Sequence, residues 1–133
     1  MQGVLAIGLA SAVSNLVIKP LVRRGRPWLS DAPPIAPTRR VRRPASASFP
    51  SGHSASAFAF ASAMGEAVPV LWVPLHVTAA LVGYARVHTG VHYPSDVIVG
   101  ALVGASCGWT ARRVVGRLAP VGPASSLGDV ACG

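Results

Sequence analysis

Acidic side chains are scarce in this 133-residue sequence, since Asp31, Glu66, Asp96 and Asp129 are its only carboxylates. A hydrolase that works through two metal ions needs several carboxylate ligands to hold them. The shortage therefore weighs against a two-metal hydrolase. We predict no metal site and no other cofactor.

Charge of either sign is also scarce. Charged residues make up 12% of the chain, against about 25% in an average soluble domain. Hydrophobic residues make up 51%, and the mean hydropathy is +0.50. These values favour a membrane protein, with a soluble helical bundle as the alternative. The two cysteines have neither the spacing of zinc ligands nor that of a disulfide framework.

Most of the charged residues are basic, which gives the chain a formal net charge of +8. All of the 12 basic residues except Lys19 are arginine, whose planar guanidinium suits binding of phosphate through two parallel hydrogen bonds. Four arginines cluster between residues 39 and 43, where few aromatic residues accompany them. We therefore expect this cluster to contact anionic lipid head groups, and we predict no nucleic-acid partner.

Four apolar segments, separated by breaks rich in proline and glycine, predict an all-α, antiparallel bundle of about four transmembrane helices. Each segment is near or slightly below the ~20 residues that cross a bilayer. Alanine, glycine and serine replace much of the leucine, which suits close helix packing in a membrane. The segments run from about Gly3 to Ile18, Gly52 to Met64, Ala67 to Val87 and Pro94 to Val115.

The helix boundaries are marked by local signals. Lys19-Pro20 is expected to stop the first helix, and Ser51 and Ser95 are predicted as N-caps of the second and fourth. The prolines between Pro27 and Pro50 exclude a continuous helix, so a long Pro/Arg-rich loop is expected there. Residues 1–118 are predicted to form one helical membrane domain, followed by a flexible C-terminal tail over residues 119–133.

Alternate crossing by four helices would collect polar residues at one end of the bundle. The end of the first helix, the start of the second, the end of the third and the start of the fourth would share one face. These four places hold Lys19 and Arg26, then Ser51, Gly52 and His53, then Arg86, and finally His92 and Asp96. Such a pocket suits phosphoryl transfer, because cations and a helix N-terminus can neutralise phosphoryl oxygens without a metal. Two histidines can divide the roles of nucleophile and acid.

Three stretches in order carry a family resemblance. They are "KPLVRRGRP" at residues 19–27, "PSGH" at 50–53 and "ARVHTGVHYPSD" at 85–96. Together they resemble the signature of the PAP2 superfamily of type 2 phosphatidic acid phosphatases, which reads K-x6-RP, then PSGH, then SR-x5-H-x3-D. The resemblance extends from about Leu5 to Leu118.

The resemblance implies metal-independent dephosphorylation through a phosphohistidine intermediate. It implies that His92 is the nucleophile, that Asp96 is its partner, and that His53 protonates the leaving alcohol and later activates water. The phosphate-binding residues that it implies are Lys19, Arg26, Ser51, Gly52 and Arg86. Ala85 stands where the signature has a serine, which removes one hydroxyl contact to phosphate.

The resemblance also sets expectations for the whole protein. Membrane members of the family usually have two further helices before the first motif, so we expect this chain to be truncated at its N-terminus or unusually small, with an oligomer or additional helices from a partner as alternatives. We expect an integral membrane phosphatase, in a bacterial plasma membrane, for a lipid such as phosphatidic acid, phosphatidylglycerol phosphate or a polyprenyl (di)phosphate. The alternatives are a vanadate-dependent haloperoxidase-like enzyme, since those enzymes are related to the family, and a non-catalytic membrane fragment or subunit.

Overall fold

The computed structural model describes residues 1–25 and 47–118, and this part of the chain contains helices and turns but no strand. The elements in chain order are α1 (Gln2–Ala12), a π-helical segment (Val13–Ile18), α2 (Lys19–Val22), α3 (Gly52–Ala67), a 3₁₀ turn (Pro69–Leu71), α4 (Trp72–His88) and α5 (Pro94–Leu118). The predicted all-α class is confirmed. Most of the predicted Pro/Arg-rich loop and the predicted tail lie outside the described residues.

The first helix continues through the proline that was expected to end it. Residues Gln2–Val22 form one uninterrupted helical rod, so the predicted stop at Lys19-Pro20 is wrong. A proline inside an α-helix has no N–H to donate, and its ring clashes with the carbonyl four residues earlier. Here the turns before Pro20 are π-helical, and the Lys19 N–H donates to the carbonyl of Ser14. The wider turn makes room for the proline ring.

Two helical rods have the length and composition to cross a membrane. They are Gln2–Val22, of 21 residues, and Pro69–His88, of 20 residues. Within the most apolar 18 residues of each rod, 17% of the residues in the first rod and 11% in the second are buried inside the bundle. The core helix of a soluble protein would be mostly buried, so these rods present their apolar side chains outward as lipid-facing helices do.

The break between the second and third predicted segments falls at a proline. The α3 helix ends at Ala67, and Pro69 opens the 3₁₀ turn that leads into α4 at Trp72. The third segment, predicted from Ala67 to Val87, therefore begins its α-helix five residues later than expected. Proline is tolerated at the start of a helical turn because the missing N–H has no intrahelical role there.

The centre of the bundle is the close packing of α3 against α5. Three glycines on α5, each four residues apart, face small residues on α3. The pairs are Gly100 with Ser51, Gly104 with Ala55, and Gly108 with Ala59. A Cβ atom added to Gly100 would lie 2.6 Å from the Ser51 carbonyl oxygen, and one added to Gly108 would lie 2.5 Å from that of Ala59. Only glycine lets the two backbones approach this closely.

The other helices pack around this pair. The first rod contacts both α3 and α5, and α4 packs mainly on α3. The α3 and α5 helices run in the same direction, since the Ser51 N–H at the start of α3 donates to the Asp96 carbonyl in the first turn of α5, 2.9 Å away. At the opposite end, Arg112 of α5 forms an ion pair with Glu66 of α3.

The first rod and α4 run the opposite way. Gly3 near the start of the rod faces Met64 near the end of α3, and Gly83 near the end of α4 faces Ser54 near the start of α3. The predicted antiparallel bundle, in which successive long helices alternate in direction, is therefore confirmed.

Candidate active site

The start of α3 provides an N-terminus suited to binding an anion. Ser51 is its N-cap, as predicted, and the Ser51 Oγ accepts hydrogen bonds from the N–H of Ser54 at 3.4 Å and from its hydroxyl at 3.0 Å. Ser51 is completely buried. The N–H groups of the first helical turn point away from the helix and favour negative charge. Gly52, the first residue of α3, adds no side chain that would obstruct them.

Lys19 lies beside this helix start although 33 residues separate it from Gly52 in the chain. A Cβ atom added to Gly52 would be 3.9 Å from the Lys19 Nζ. The same Nζ donates to the Asn15 Oδ1 one turn earlier, at 2.7 Å. The structure therefore brings the predicted lysine to the first turn of α3. Arg26, which was also predicted to bind phosphate, lies outside the described residues.

Arg86 occupies the last turn of α4 and carries a buried donor. Its Nε is buried and has no hydrogen-bond partner among the described residues. Leaving a buried polar group unpaired costs about 1–3 kcal/mol, and more for a charged group. An anionic ligand with acceptor oxygens would satisfy this donor.

A tight turn connects Arg86 to His92. The Arg86 carbonyl accepts the N–H groups of Val91 and His92, each at 3.2 Å. Gly90 has a φ of +68°, in the left-handed region that a residue with a side chain adopts only with strain. The Arg86 and His92 positions are thus tied together by backbone hydrogen bonds, independently of their side chains.

His92 and Asp96 form a buried pair at the start of α5. Their side chains are 4% and 0% exposed, and the His92 Nδ1 lies 3.6 Å from the Asp96 Oδ2. This distance is within ion-pair range but longer than a normal hydrogen bond. A carboxylate beside one ring nitrogen leaves the other nitrogen available for attack, and it stabilises an imidazolium.

His53 reaches the same end of the bundle from a different helix. It is exposed in the first turn of α3, two residues after Ser51, whose N–H is bonded to the backbone of Asp96. The structure therefore brings both predicted histidines to one end, His53 in the first turn of α3 and His92 just before α5. The roles assigned to them stay predictions.

The start of α5 differs from the predicted one. The helix begins at Pro94, so Ser95 lies inside the first turn and the prediction of Ser95 as N-cap is wrong. Instead the Asp96 carboxylate reaches back and accepts the N–H of Tyr93 at 2.9 Å. A carboxylate at the third helical position commonly satisfies the N–H of the residue preceding the helix. Asp96 therefore fixes the helix start as well as facing His92.

Sequence reasoning missed two residues that contact Asp96. The Arg24 Nη1 donates to the Asp96 Oδ1 at 3.2 Å, and the Ser48 hydroxyl donates to the Asp96 Oδ2. Arg24 falls among the unspecified positions of the first motif, and Ser48 precedes the second motif. Neither has a spacing that distinguishes it from neighbouring arginines and serines, so the sequence offered no signal for them.

The donors at this end of the bundle suit an anion better than a cation. Within the described residues, no group of three or more His, Cys, Asp or Glu side chains is placed to hold a metal ion. Asp96 is already surrounded by the guanidinium of Arg24, the hydroxyl of Ser48 and a backbone N–H. The remaining groups are cations, imidazoles and helix N–H donors.

Fold and site together define a helical bundle with two rods long and apolar enough to cross a membrane, and with cationic side chains, imidazoles and helix N–H donors at one end. The chain matches the PAP2 superfamily over residues 1–119. It belongs to this superfamily, as the three motifs predicted.

Individual relatives agree with this assignment. The chain is 44% identical, over 104 residues, to a decaprenylphosphoryl-5-phosphoribose phosphatase from Mycobacterium tuberculosis, a match that covers 75% of this chain and 52% of that protein. The chain thus spans about half the length of this curated relative.

Two crystal structures share the fold. LpxE from Aquifex aeolicus is similar with a TM-score of 0.66 and 32% identity, covering 84% of this chain and 66% of that one. A transmembrane PAP2-type phosphatidylglycerolphosphate phosphatase from Bacillus subtilis is similar with a TM-score of 0.67 and 28% identity, covering 87% and 58%. The predicted transmembrane bundle of PAP2 type is confirmed.

Proposed function

We propose that this protein is a membrane phosphatase that releases phosphate from a lipid phosphate monoester or diphosphate without a metal ion. The observation that carries the proposal is the buried Arg86 Nε, which has no hydrogen-bond partner among the described residues. It lies on the residue whose carbonyl binds the His92 N–H. A cationic donor in that position is explained if a phosphate oxygen accepts its hydrogen bond beside the histidine.

In the first step, His92 attacks phosphorus. The nitrogen that faces away from Asp96 forms the N–P bond while the bond from phosphorus to the leaving oxygen breaks. His53 donates its proton to that oxygen, so the lipid leaves as a neutral alcohol or, from a diphosphate, as a protonated monophosphate. Asp96 stabilises the positive charge that develops on the His92 ring.

Charge on the transferred group is balanced by a separate set of residues. Lys19, Arg86 and the N–H groups at the start of α3 are the donors that we assign to the three equatorial oxygens. Arg26 is proposed for the same role from the motif alone. Lys19, Arg86 and the start of α3 belong to helices that already pack together, so we expect little reorganisation of these donors during the reaction.

In the second step, water replaces the histidine. His53, now neutral, accepts a proton from a water molecule as the water oxygen bonds to phosphorus and the N–P bond breaks. Inorganic phosphate leaves, and His53 has regained the proton that it gave to the lipid. The cycle therefore needs no oxidant, reductant or metal.

A lipid is the proposed substrate because the pocket lies at the end of lipid-facing helices. Few residues in the most apolar part of the rods Gln2–Val22 and Pro69–His88 are buried inside the bundle. A lipid whose chains lie beside them can present its head group at Lys19 and Arg86 without leaving the bilayer. We propose a bacterial plasma membrane as the location, in keeping with the bacterial origin of the relatives reported above.

The test is phosphate release from purified protein in detergent micelles with excess EDTA. The substrates are phosphatidic acid, phosphatidylglycerol phosphate and a polyprenyl diphosphate, each with and without orthovanadate. We expect release of phosphate in EDTA and inhibition by vanadate, which resembles the transition state.

Three results would reject the proposal. A strict requirement for Mg²⁺ would exclude the metal-free mechanism. Oxidation of halide on addition of vanadate and peroxide, without phosphate release, would favour a haloperoxidase. The absence of both phosphate release and vanadate binding would indicate a non-catalytic membrane subunit.

A further inference from the structure

Arg24 contacts the candidate site but has no role in the mechanism above. Its Nη1 lies 2.8 Å from the Ser95 Oγ and 3.2 Å from the Asp96 Oδ1. Its guanidinium carbon lies 4.3 Å from the centre of the Tyr93 ring, so the group stacks on that ring while it donates. Contacts with Tyr93, Ser95 and Asp96, just before and within the first turn of α5, hold this side chain, which is 41% exposed.

The backbone directs Arg24 to this position. The α2 helix ends at Val22, and Arg23 adopts a left-handed conformation with a φ of 42°. This conformation turns the chain sharply before Arg24. The Arg24 carbonyl then accepts the N–H of Ser48 at 2.9 Å, and the Ser48 hydroxyl donates to Asp96. Arg24 and Ser48 therefore hold each other through their backbones and both bind the same carboxylate.

Asp96 needs these partners because it is fully buried. An isolated carboxylate in a buried position is strongly disfavoured unless it is paired and hydrogen-bonded. Arg24 supplies the charge and binds Oδ1, whereas Ser48 and the Tyr93 N–H bind Oδ2. With Oδ1 held by Arg24, Oδ2 is the oxygen that faces the Nδ1 of His92. The orientation of the carboxylate is thus set by groups other than His92, with Arg24 on the oxygen that does not face the imidazole.

We propose that Arg24 is a positioning residue: it holds Asp96 in the orientation that aligns His92, and it does not bind the phosphate. The inference rests on the proposed phosphatase function. It separates Arg24 from Lys19 and Arg86, which we assign to the phosphate itself.

A double-mutant cycle tests this assignment. Arg24→Gln should lower kcat by about 10- to 100-fold, the range for losing a charge-assisted hydrogen bond. The inhibition constant of orthovanadate should stay within about twofold of the wild type, because positioning of Asp96 is lost rather than a phosphate contact. In an Asp96→Asn background, Arg24→Gln should cost less than about twofold in kcat, since the residue it acts through is already changed. Arg24→Lys, which keeps the charge, should retain more activity than Arg24→Gln.

The matched control is Arg23→Gln. It removes the same charge one residue earlier, from an exposed side chain, and should leave kcat within about twofold of the wild type. Additive losses in the cycle would overturn the proposal, because they would show that Arg24 does not act through Asp96. Vanadate inhibition weakened as strongly as in Arg86→Gln would place Arg24 on the phosphate instead.

A second measurement does not depend on activity. In protein labelled with ¹⁵N-histidine, Arg24→Gln should shift the His92 ring resonances in the same direction as Asp96→Asn does, with little further change in the double variant. Unchanged His92 resonances in Arg24→Gln would overturn the proposal even if the enzyme is active. If the wild type releases no phosphate, the proposed function fails, whereas these resonances still decide whether Arg24 controls the environment of His92.

Discussion

The two ends of the bundle use the same kinds of residue in different surroundings. At the site end, Arg24 pairs with Asp96, whose side chain is fully buried beside an almost fully buried His92. At the far end, Arg112 pairs with Glu66, with side chains that are 45% and 33% exposed. Arg113 nearby stacks on Trp109 with its guanidinium carbon 3.6 Å from the ring centre.

Burial decides how much each pair contributes. Water can replace either partner of an exposed ion pair, so such pairs contribute about 0–1 kcal/mol. A buried carboxylate that loses one partner has no such replacement, and the loss is several times larger. The molecule therefore concentrates its sensitivity to loss of an ion pair at one end, which is the end with His53 and His92.

The strongest way to sharpen this contrast is to remove the proposed nucleophile. His92→Ala should reduce phosphate release by at least about 10³-fold, because no N–P bond can form. The measurement is phosphate release from a lipid phosphate in EDTA, with Arg113→Gln as a far-end control of near wild-type activity. Substantial activity of His92→Ala would contradict both the proposed mechanism and the greater sensitivity of the site end.

A smaller effect is expected from Arg86→Gln. If its buried Nε donates to a phosphate oxygen, the inhibition constant of orthovanadate should rise by about 10- to 100-fold, as for loss of a hydrogen bond to a charged group. Arg117→Gln, at the exposed far end of α5, should leave inhibition unchanged. Equal inhibition in the two variants would mean that Arg86 has a structural role in α4 and does not bind the ligand.

The contact between α3 and α5 offers a test within a single helix. Gly104→Ala places a methyl group against the Ala55 backbone, whereas Gly116→Ala places it in open space. The first should destabilise the protein by about 1–3 kcal/mol through overpacking. The second should be neutral or stabilising by up to about 1 kcal/mol, because alanine favours helix. Thermal unfolding in detergent measures both, and equal effects would contradict the close approach of the two backbones.

The smallest effect should come from the far-end ion pair. Glu66→Gln should lower the free energy of unfolding by no more than about 1 kcal/mol, and this loss should shrink as salt is added. Denaturant midpoints at low and high salt provide the measurement. A loss as large as that of a buried pair would show that the two ends are less different than their exposure indicates.

Much of this arrangement could be predicted from the sequence because it follows from local signals and simple topology. Ser51 capped the helix as its position before Gly52 indicated. Alternating helices then brought Lys19, Arg86 and His92 to one end. The abundance of alanine, glycine and serine in the apolar segments indicated close helix packing, which Gly104 makes possible.

The features that could not be predicted from the sequence depend on contacts between residues that are far apart in the chain. Arg24 and Asp96 are 72 positions apart, and their contact requires the left-handed turn at Arg23. No local pattern distinguishes Arg24 from Arg23. The helix also continued past Pro20 because a π-helical turn accommodated the ring, and such a rearrangement reflects packing of the whole rod.

The glycine pairs between α3 and α5 also bear on how the protein can move. Rotation or sliding of one helix against the other would drive methyl groups into carbonyl oxygens, so we expect these two helices to behave as a rigid body. They carry His53, Asp96 and the helix start, whereas α4, which packs mainly on α3, carries Arg86. Any motion that admits a bulky lipid is then borne by the peripheral helices, while the hydrogen bonds from the N–H groups of Val91 and His92 to the Arg86 carbonyl hold the end of α4 beside the preassembled acid and carboxylate.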